Sequence, residues 1–356
     1  MGLVSGTPAP LFIAPAPNNP KFAFGSLGGR YVLLAFLPPP GPERDAAVQL
    51  VRANAPLFKD DRLVFFGVLP DRETYAAARN EPPCRWFLDE DGDLRRLYAA
   101  QGPDGGPAPE WALIDPMMRV MATAPLAQGE AMLAAIARLG DVEAHAGVPL
   151  HAPVLIVPRI FEPQLCRRLI DYYREAGGLP SGTMRAVDGK TVAVLDNFKR
   201  RKDATITDEA LMAETRARIV RRLLPEIAKA FQFKATRIER YIVAHYSAEE
   251  GGYFNAHRDN TTPGTAHRKF AVSINLNAEE FEGGDLRFPE FGRRTYRPPT
   301  GGAVVFSCSL LHEATPVTRG TRFAFLPFLY DDEGARVREQ NVHTLDLRLE
   351  AAPAEA

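Results

Sequence analysis

The sequence predicts an α/β domain followed by a domain made mainly of β-strands, the class α/β plus β. Three observations carry the prediction. The length of 356 residues matches about two ordinary domains. Over the first 140 residues apolar runs alternate with helical stretches, the pattern of an α/β sheet. Beyond residue 240 short strand-like runs recur at 271–277, 303–306 and 321–326, with glycine pairs at 283–284 and 301–302 suited to tight turns.

In chain order, residues 31–37 read as a buried strand, 42–57 as a helix and 63–69 as a second apolar strand. Residues 111–116 and 119–122 form an expected hairpin, and 131–139 a last helix. Residues 141–152 lack periodicity and carry glycine and proline, so they read as a linker between domains over 1–140 and 153–335. The second domain opens with an amphipathic helix over 162–176 that puts Leu165, Leu169, Ile170 and Tyr173 on one face. Another helix begins near Thr207, taken as its N-cap, with an inward stripe of Leu211, Ile219, Leu223, Ile227 and Phe231. Pro225 kinks or restarts that helix. Residues 336–356 are charged and then low in complexity, the composition of a C-terminal tail with a disordered end.

The densest chemistry lies in His257-Arg258-Asp259 and, further on, His312. Alternate strand residues share a face, so His257 and Asp259 reach one point while Arg258 turns away. Residues 303–312 read as a strand and turn that bring His312 to the same place. Two imidazoles and a carboxylate on one face of an iron leave the opposite positions open for a cosubstrate and oxygen. Arg322, ten positions beyond His312, falls in another strand-like run. A buried arginine needs an anion, and its planar fork matches a carboxylate, as a 2-oxoglutarate site requires. Each assignment has a plainer counterpart: a hydrogen-bonded core histidine, a turn aspartate or an ion-paired arginine.

On these residues, about 150–335 resemble the prolyl-4-hydroxylase-type branch of the iron(II) and 2-oxoglutarate-dependent dioxygenases. The matching pieces stand in the family's order: Pro-Val-Leu-Ile-Val at 153–157, Phe-Glu-Pro-Gln-Leu-Cys at 161–166, residues 246–260, Phe-Glu-Gly-Gly-Asp-Leu-Arg-Phe-Pro at 281–289, and 312–328. The resemblance implies a double-stranded β-helix, or jelly roll, braced by helices. It implies His257, Asp259 and His312 as ligands of Fe(II), and Arg322 as the anchor of the distal carboxylate of 2-oxoglutarate. Tyr246 matches the family tyrosine that helps hold this cosubstrate, and Asn275 faces the barrel interior where relatives often carry a larger polar residue. Dioxygen is the co-reactant, and ascorbate enters by family analogy as a reductant. Related halogenases replace the ligand carboxylate by a small residue; Asp259 keeps it, which implies hydroxylation with release of succinate and CO2. The substrate class so implied is a prolyl or other peptide side chain, or a small metabolite.

Residues 5–140 resemble a peroxiredoxin-like thioredoxin fold, through Gly-Thr-Pro-Ala-Pro-Leu-Phe at 6–12 and Phe-Leu-Asp-Glu-Asp-Gly at 87–92. Where that family places its peroxide-reacting cysteine, after the first long strand, residues 38–43 read Pro-Pro-Pro-Gly-Pro-Glu. A thiolate is the nucleophile of that chemistry, so this domain is expected to be catalytically silent, with Cys84 an inert thiol. Rival readings are a thiol peroxidase-related antioxidant protein and an oxygen-sensing or binding protein that retains the iron site.

Composition narrows the setting. A net charge of -1 gives no reason for general attraction to nucleic acid or a membrane surface. Three scattered cysteines without a C-x-x-C fit a reducing compartment, and the first residues lack a signal-like pattern, so a cytoplasmic location is the expectation. A homodimer is an open expectation. His245 and His267 are expected to make local hydrogen bonds or meet solvent. The run Lys199-Arg200-Arg201-Lys202 reads first as a solvated loop and second as a device that steers an acidic substrate, and residues 261–269 as a surface connection or a lid.

Overall fold

The structure is a computed structural model that describes residues 3–98 and 110–351. It divides into two compact units, one of residues 1–152 with 289–293 and one of residues 153–288 with 294–356. The division falls at the end of the segment expected as a linker. Val142, inside that segment, is buried in the core of the first unit.

The first unit is built on a five-stranded sheet in the spatial order Cys84–Leu88, Leu63–Leu69, Tyr31–Phe36, Glu110–Ile114, Val120–Pro125. The first three strands run parallel and the last two are antiparallel. Every residue of Tyr31–Phe36 is buried, with Val32, Leu34 and Phe36 in one apolar cluster and Tyr31, Leu33 and Ala35 in another. A strand covered on both faces has no polar side to show, which is why its sequence is continuously apolar. Helices Pro42–Ala53 and Gly129–Ala137 take the expected places. Cys84 is buried at the start of an edge strand, and that burial raises its thiol pKa.

The second unit faces two sheets toward each other. The larger contains, side by side, Phe328–Tyr330, Phe270–Asn275, Val317–Phe325, Ile242–Ser247 and Lys202–Thr205. The smaller runs Lys199–Arg200, Tyr253–His257, His312–Ala314, Leu286–Arg287, Thr295–Tyr296. Strand alternation sorts the side chains. Val243, Phe323 and Phe325 point outward into the main core, whereas Ala244 and Tyr246 belong to an inner cluster with Phe281 and Val317.

Helix Pro163–Ala176 supplies Leu165, Leu169, Ile170 and Tyr173 to the outer core, as its spacing predicts. The next helix, Glu209–Arg218, is capped by Asp208, whose carboxylate accepts from the Ala210 and Leu211 amides; Thr207, the expected cap, lies one residue outside. Ahead of Pro225 the helix widens into a π-turn at Ile219–Leu223 and restarts as Leu224–Phe231. Proline has no amide hydrogen and its ring crowds the preceding turn, so the chain accommodates it by loosening that turn.

The expected tail from residue 336 is replaced by structure. Helix Asp332–Asn341 is capped by Asp331, and Leu345–Ala351 pairs in parallel with Lys190–Leu195. The partner strand belongs to a hairpin, Thr183–Val187 with Lys190–Leu195, turned at Asp188-Gly189 with both residues at positive φ. Asp-Gly is the pair that such a turn favours. The extreme end, residues 352–356, lies outside the described residues. Among the described residues no helix is long and apolar enough to cross a membrane.

Candidate active site

The sheet register brings the predicted ligands together. His257 ends the strand Tyr253–His257 and His312 begins His312–Ala314, and the two are directly paired across the antiparallel ladder. Asp259 lies just past the strand end, held by its amide donating to the Cys308 carbonyl at 2.9 Å. Its carboxylate stands 3.5 Å from His257 Nε2 through Oδ1 and 3.4 Å from His312 Nε2 through Oδ2. The three ligand atoms lie within 4.8 Å of one another.

Backbone carbonyls decide which ring nitrogen faces this point. His257 Nδ1 lies 2.7 Å from the Asn255 carbonyl, and His312 Nδ1 lies 3.0 Å from that of Leu310. A carbonyl only accepts, so each Nδ1 carries the proton and each Nε2 presents a lone pair. Two lone pairs and a carboxylate therefore converge. A divalent cation fits that donor set, with backbone carbonyls as the outer partners that fix the rings. Phe254 stacks on His257 at 3.5 Å between centroids and Phe306 lies 4.5 Å from His312, so the rings cannot swing. Burial, and then the neighbouring His257, pull His312 down to about 4, leaving a neutral ligand near pH 7. Burial pushes Asp259 upward, but His312, His257 and Arg268 outweigh it and hold the carboxyl below its ordinary range.

The triad lines a cleft that also contains Arg322, Tyr246, Arg201 and Arg240. Arg322 is 3 % exposed and donates to the Gly284 carbonyl at 2.8 Å, Ser273 Oγ at 2.8 Å and Asn275 Oδ1 at 3.3 Å. All three acceptors are neutral, and Arg322 has no ion pair among the described residues. A buried guanidinium with only neutral partners is a ready seat for an anion. The Gly283-Gly284 turn makes the Gly284 contact available: both glycines have positive φ, and a Cβ on Gly283 would meet the Pro316 carbonyl at 2.1 Å.

Of the other predicted residues, Tyr246 lines the cleft opposite Arg322 in the ladder, with its hydroxyl 3.4 Å from Arg201 Nη1. Asn275 sits behind Arg322. Its amide donates to the Pro298 carbonyl at 3.0 Å while its oxygen accepts from Arg322, which is the placement of a positioning residue. His267 is buried against Glu239 at 2.7 Å and His245 stacks on Tyr173, so neither joins the triad.

The basic run is the clearest departure from expectation. Lys199 and Arg201 are buried: Lys199 lies in the strand Lys199–Arg200, and Arg201 in the link between it and the strand Lys202–Thr205. Arg201 donates to Asp203 Oδ2 at 2.7 Å and Ser181 Oγ at 3.1 Å. Arg240, which no local motif marks, also lines the cleft.

Parts of the chain are similar to known proteins. Residues 241–330 match the family model of the 2OG-Fe(II) oxygenase superfamily. A PKHD-type hydroxylase of Cupriavidus metallidurans is 32% identical over 123 residues, covering 31% of this chain and 53% of the relative. One of Bordetella pertussis is 28% identical over 179 residues, covering 47% of this chain and 75% of the relative. The chain thus spans about half the length of the first of these curated relatives and three quarters of the second. A solved prolyl-4-hydroxylase of Pseudomonas putida is 18% identical, covering 50% of this chain and 92% of that one, with a TM-score of 0.36. Residues 241–330 are thus similar to the 2OG-Fe(II) oxygenase superfamily, and a longer stretch of the chain is similar to PKHD-type hydroxylases.

Proposed function

We propose that this protein is an Fe(II)- and 2-oxoglutarate-dependent dioxygenase that hydroxylates a prolyl or other peptide side chain, or a small metabolite, and releases succinate and CO2. One observation carries the reading: the lone pairs of His257 and His312 and the carboxylate of Asp259 converge in the same cleft as a buried arginine that has only neutral partners.

His257, Asp259 and His312 would hold the metal, the two imidazoles through the nitrogens that face the carboxylate. When bound, Fe(II) supplies the oxygen activation that is coupled to decarboxylation of 2-oxoglutarate. Arg322 receives the distal carboxylate of the cosubstrate, and Asn275 and Ser273 keep the guanidinium aimed. Tyr246 borders this seat and presents its hydroxyl to the cleft. Phe254, Phe306 and Leu286 make the walls apolar, which limits water and strengthens each charge contact inside.

The N-terminal sheet supports a thioredoxin-like assignment for the first unit, in a form without redox chemistry. All three cysteines of the chain are buried, and none falls in residues 37–43, directly after the strand Tyr31–Phe36. For this unit we infer a role in recognising a partner, ordering a dimer or presenting substrate, since the thiolate that peroxide reduction needs is missing after the first long strand.

With Fe(II), 2-oxoglutarate and air, the purified protein is expected to form succinate, stoichiometrically with CO2, and faster when substrate is present. Chromatographic detection of succinate checks this. Iron-loaded protein that consumes no 2-oxoglutarate under any substrate would sink the reading.

A further inference from the structure

The cleft has one more cation than this chemistry uses. Arg201 is neutralised by Asp203, and Arg322 is assigned to the cosubstrate. Arg240 is left over. Its Nε and Nη2 both donate to a single neutral acceptor, the Leu326 carbonyl, at 3.2 and 3.1 Å. Among the described residues it has no ion pair.

The contrast with Arg268 is informative. Both guanidinium groups lie over the ring of Phe328, Arg240 at 4.4 Å and Arg268 at 4.0 Å from its centroid. Arg268 has its carboxylate, Glu239, in direct contact at 2.8 Å, whereas among the described residues no carboxylate makes a direct ion pair with Arg240. The chain also accepts strain to place Arg240, whose φ of 69° is left-handed for a residue with a Cβ. Burial, followed by the charges of Arg201 and Arg268, pulls its pKa down to about 10, so it stays protonated at neutral pH. Asp203 and Glu239 act on it only at longer range, without a direct ion pair. A strained, protonated arginine that lines the cleft with no carboxylate in contact is built to meet an anion from outside.

We propose that Arg240 is a second carboxylate seat in the cleft, and that the substrate bound beside the cosubstrate carries a carboxylate, as a small organic acid or as an acidic group of a peptide. The inference rests on the dioxygenase reading, which assigns both carboxylates of 2-oxoglutarate elsewhere.

Calorimetry on protein loaded with Mn(II), a redox-silent stand-in, and 2-oxoglutarate tests it. One arm uses propionate and the free amino acids against their amides; the other uses end-blocked pentapeptides with Asp or Glu against the same peptides with Asn or Gln. In at least one arm the carboxylate is expected to bind about ten- to hundredfold more tightly than its amide, the effect of one charge-assisted contact. Arg240→Gln removes that preference and Arg240→Lys keeps part of it, while 2-oxoglutarate affinity moves less than about twofold. Thermal unfolding of each variant confirms that it is folded. Binding of no carboxylate before 2-oxoglutarate is displaced, or equal binding of acids and amides, overturns the proposal. So does loss of 2-oxoglutarate binding in Arg240→Gln, which makes Arg240 a cosubstrate seat. Failure of the unaltered protein to bind 2-oxoglutarate at all strikes the dioxygenase reading instead.

Discussion

Asp259→Ala is expected to lose divalent-metal binding and, with it, all 2-oxoglutarate turnover. The carboxylate is the only charged member of the triad and faces both imidazole lone pairs at 3.4 and 3.5 Å. Replacing even an outer partner of a metal ligand typically weakens binding by about 10–100-fold, so removing the anionic ligand itself should exceed that range. The fold should survive, because Asp259 is tied to Cys308 through its backbone amide, which alanine keeps. The discriminating readout is thermal: Fe(II) or Mn(II) raises the unfolding temperature of the parent by selective binding to the folded state, and leaves the variant unmoved. A variant that still gains stability from metal would mean that the ion sits elsewhere.

The second large effect is expected at Arg322→Lys. Lysine keeps the charge and loses the planar fork, so its single nitrogen cannot reach the Gly284 carbonyl and Ser273 from two separate positions and still meet an incoming carboxylate bidentately. One lost charge-assisted contact corresponds to a 2-oxoglutarate Kd about 10–100-fold higher. Cosubstrate at a hundred times the parent Kd stabilises the parent by about 2.7 kcal/mol; a hundredfold weaker variant gains only about 0.4 kcal/mol. Metal binding should be retained, which separates this variant from Asp259→Ala. Unchanged cosubstrate affinity would show that Arg322 is structural and that the anion seat is misassigned.

The candidate ligands are legible in the sequence because their pattern is local: an H-x-D pair at a strand end, followed by a histidine and an arginine in strand-like runs. The pairing that joins them is not. The direct opposition of His257 and His312 is a register between strands more than fifty residues apart, and nothing in either segment specifies it. The misread basic run has the same origin. Four consecutive cations look solvated, but the segment passes from one sheet to the other, which buries Lys199 and Arg201, and Asp203 supplies a counter-charge to Arg201. The C-terminal segment was misread because its strand pairs in parallel with a hairpin some 150 residues away, and only the Asp-Gly turn of that hairpin left a local mark. Helix Pro163–Ala176, by contrast, was readable almost to the residue, since an apolar stripe and a first-turn proline are both local signals.

The most direct test of the iron and 2-oxoglutarate assignment is an anaerobic titration of the protein with Fe(II) and 2-oxoglutarate, followed by the charge-transfer absorption that the two give when chelated together. The account predicts that the band appears with saturation at one iron per chain, is absent in His257→Ala and Asp259→Ala, and needs much more 2-oxoglutarate in Arg322→Ala. Iron demonstrably bound at the triad with no band at any 2-oxoglutarate concentration would contradict it and point to a binding or sensing role for the metal.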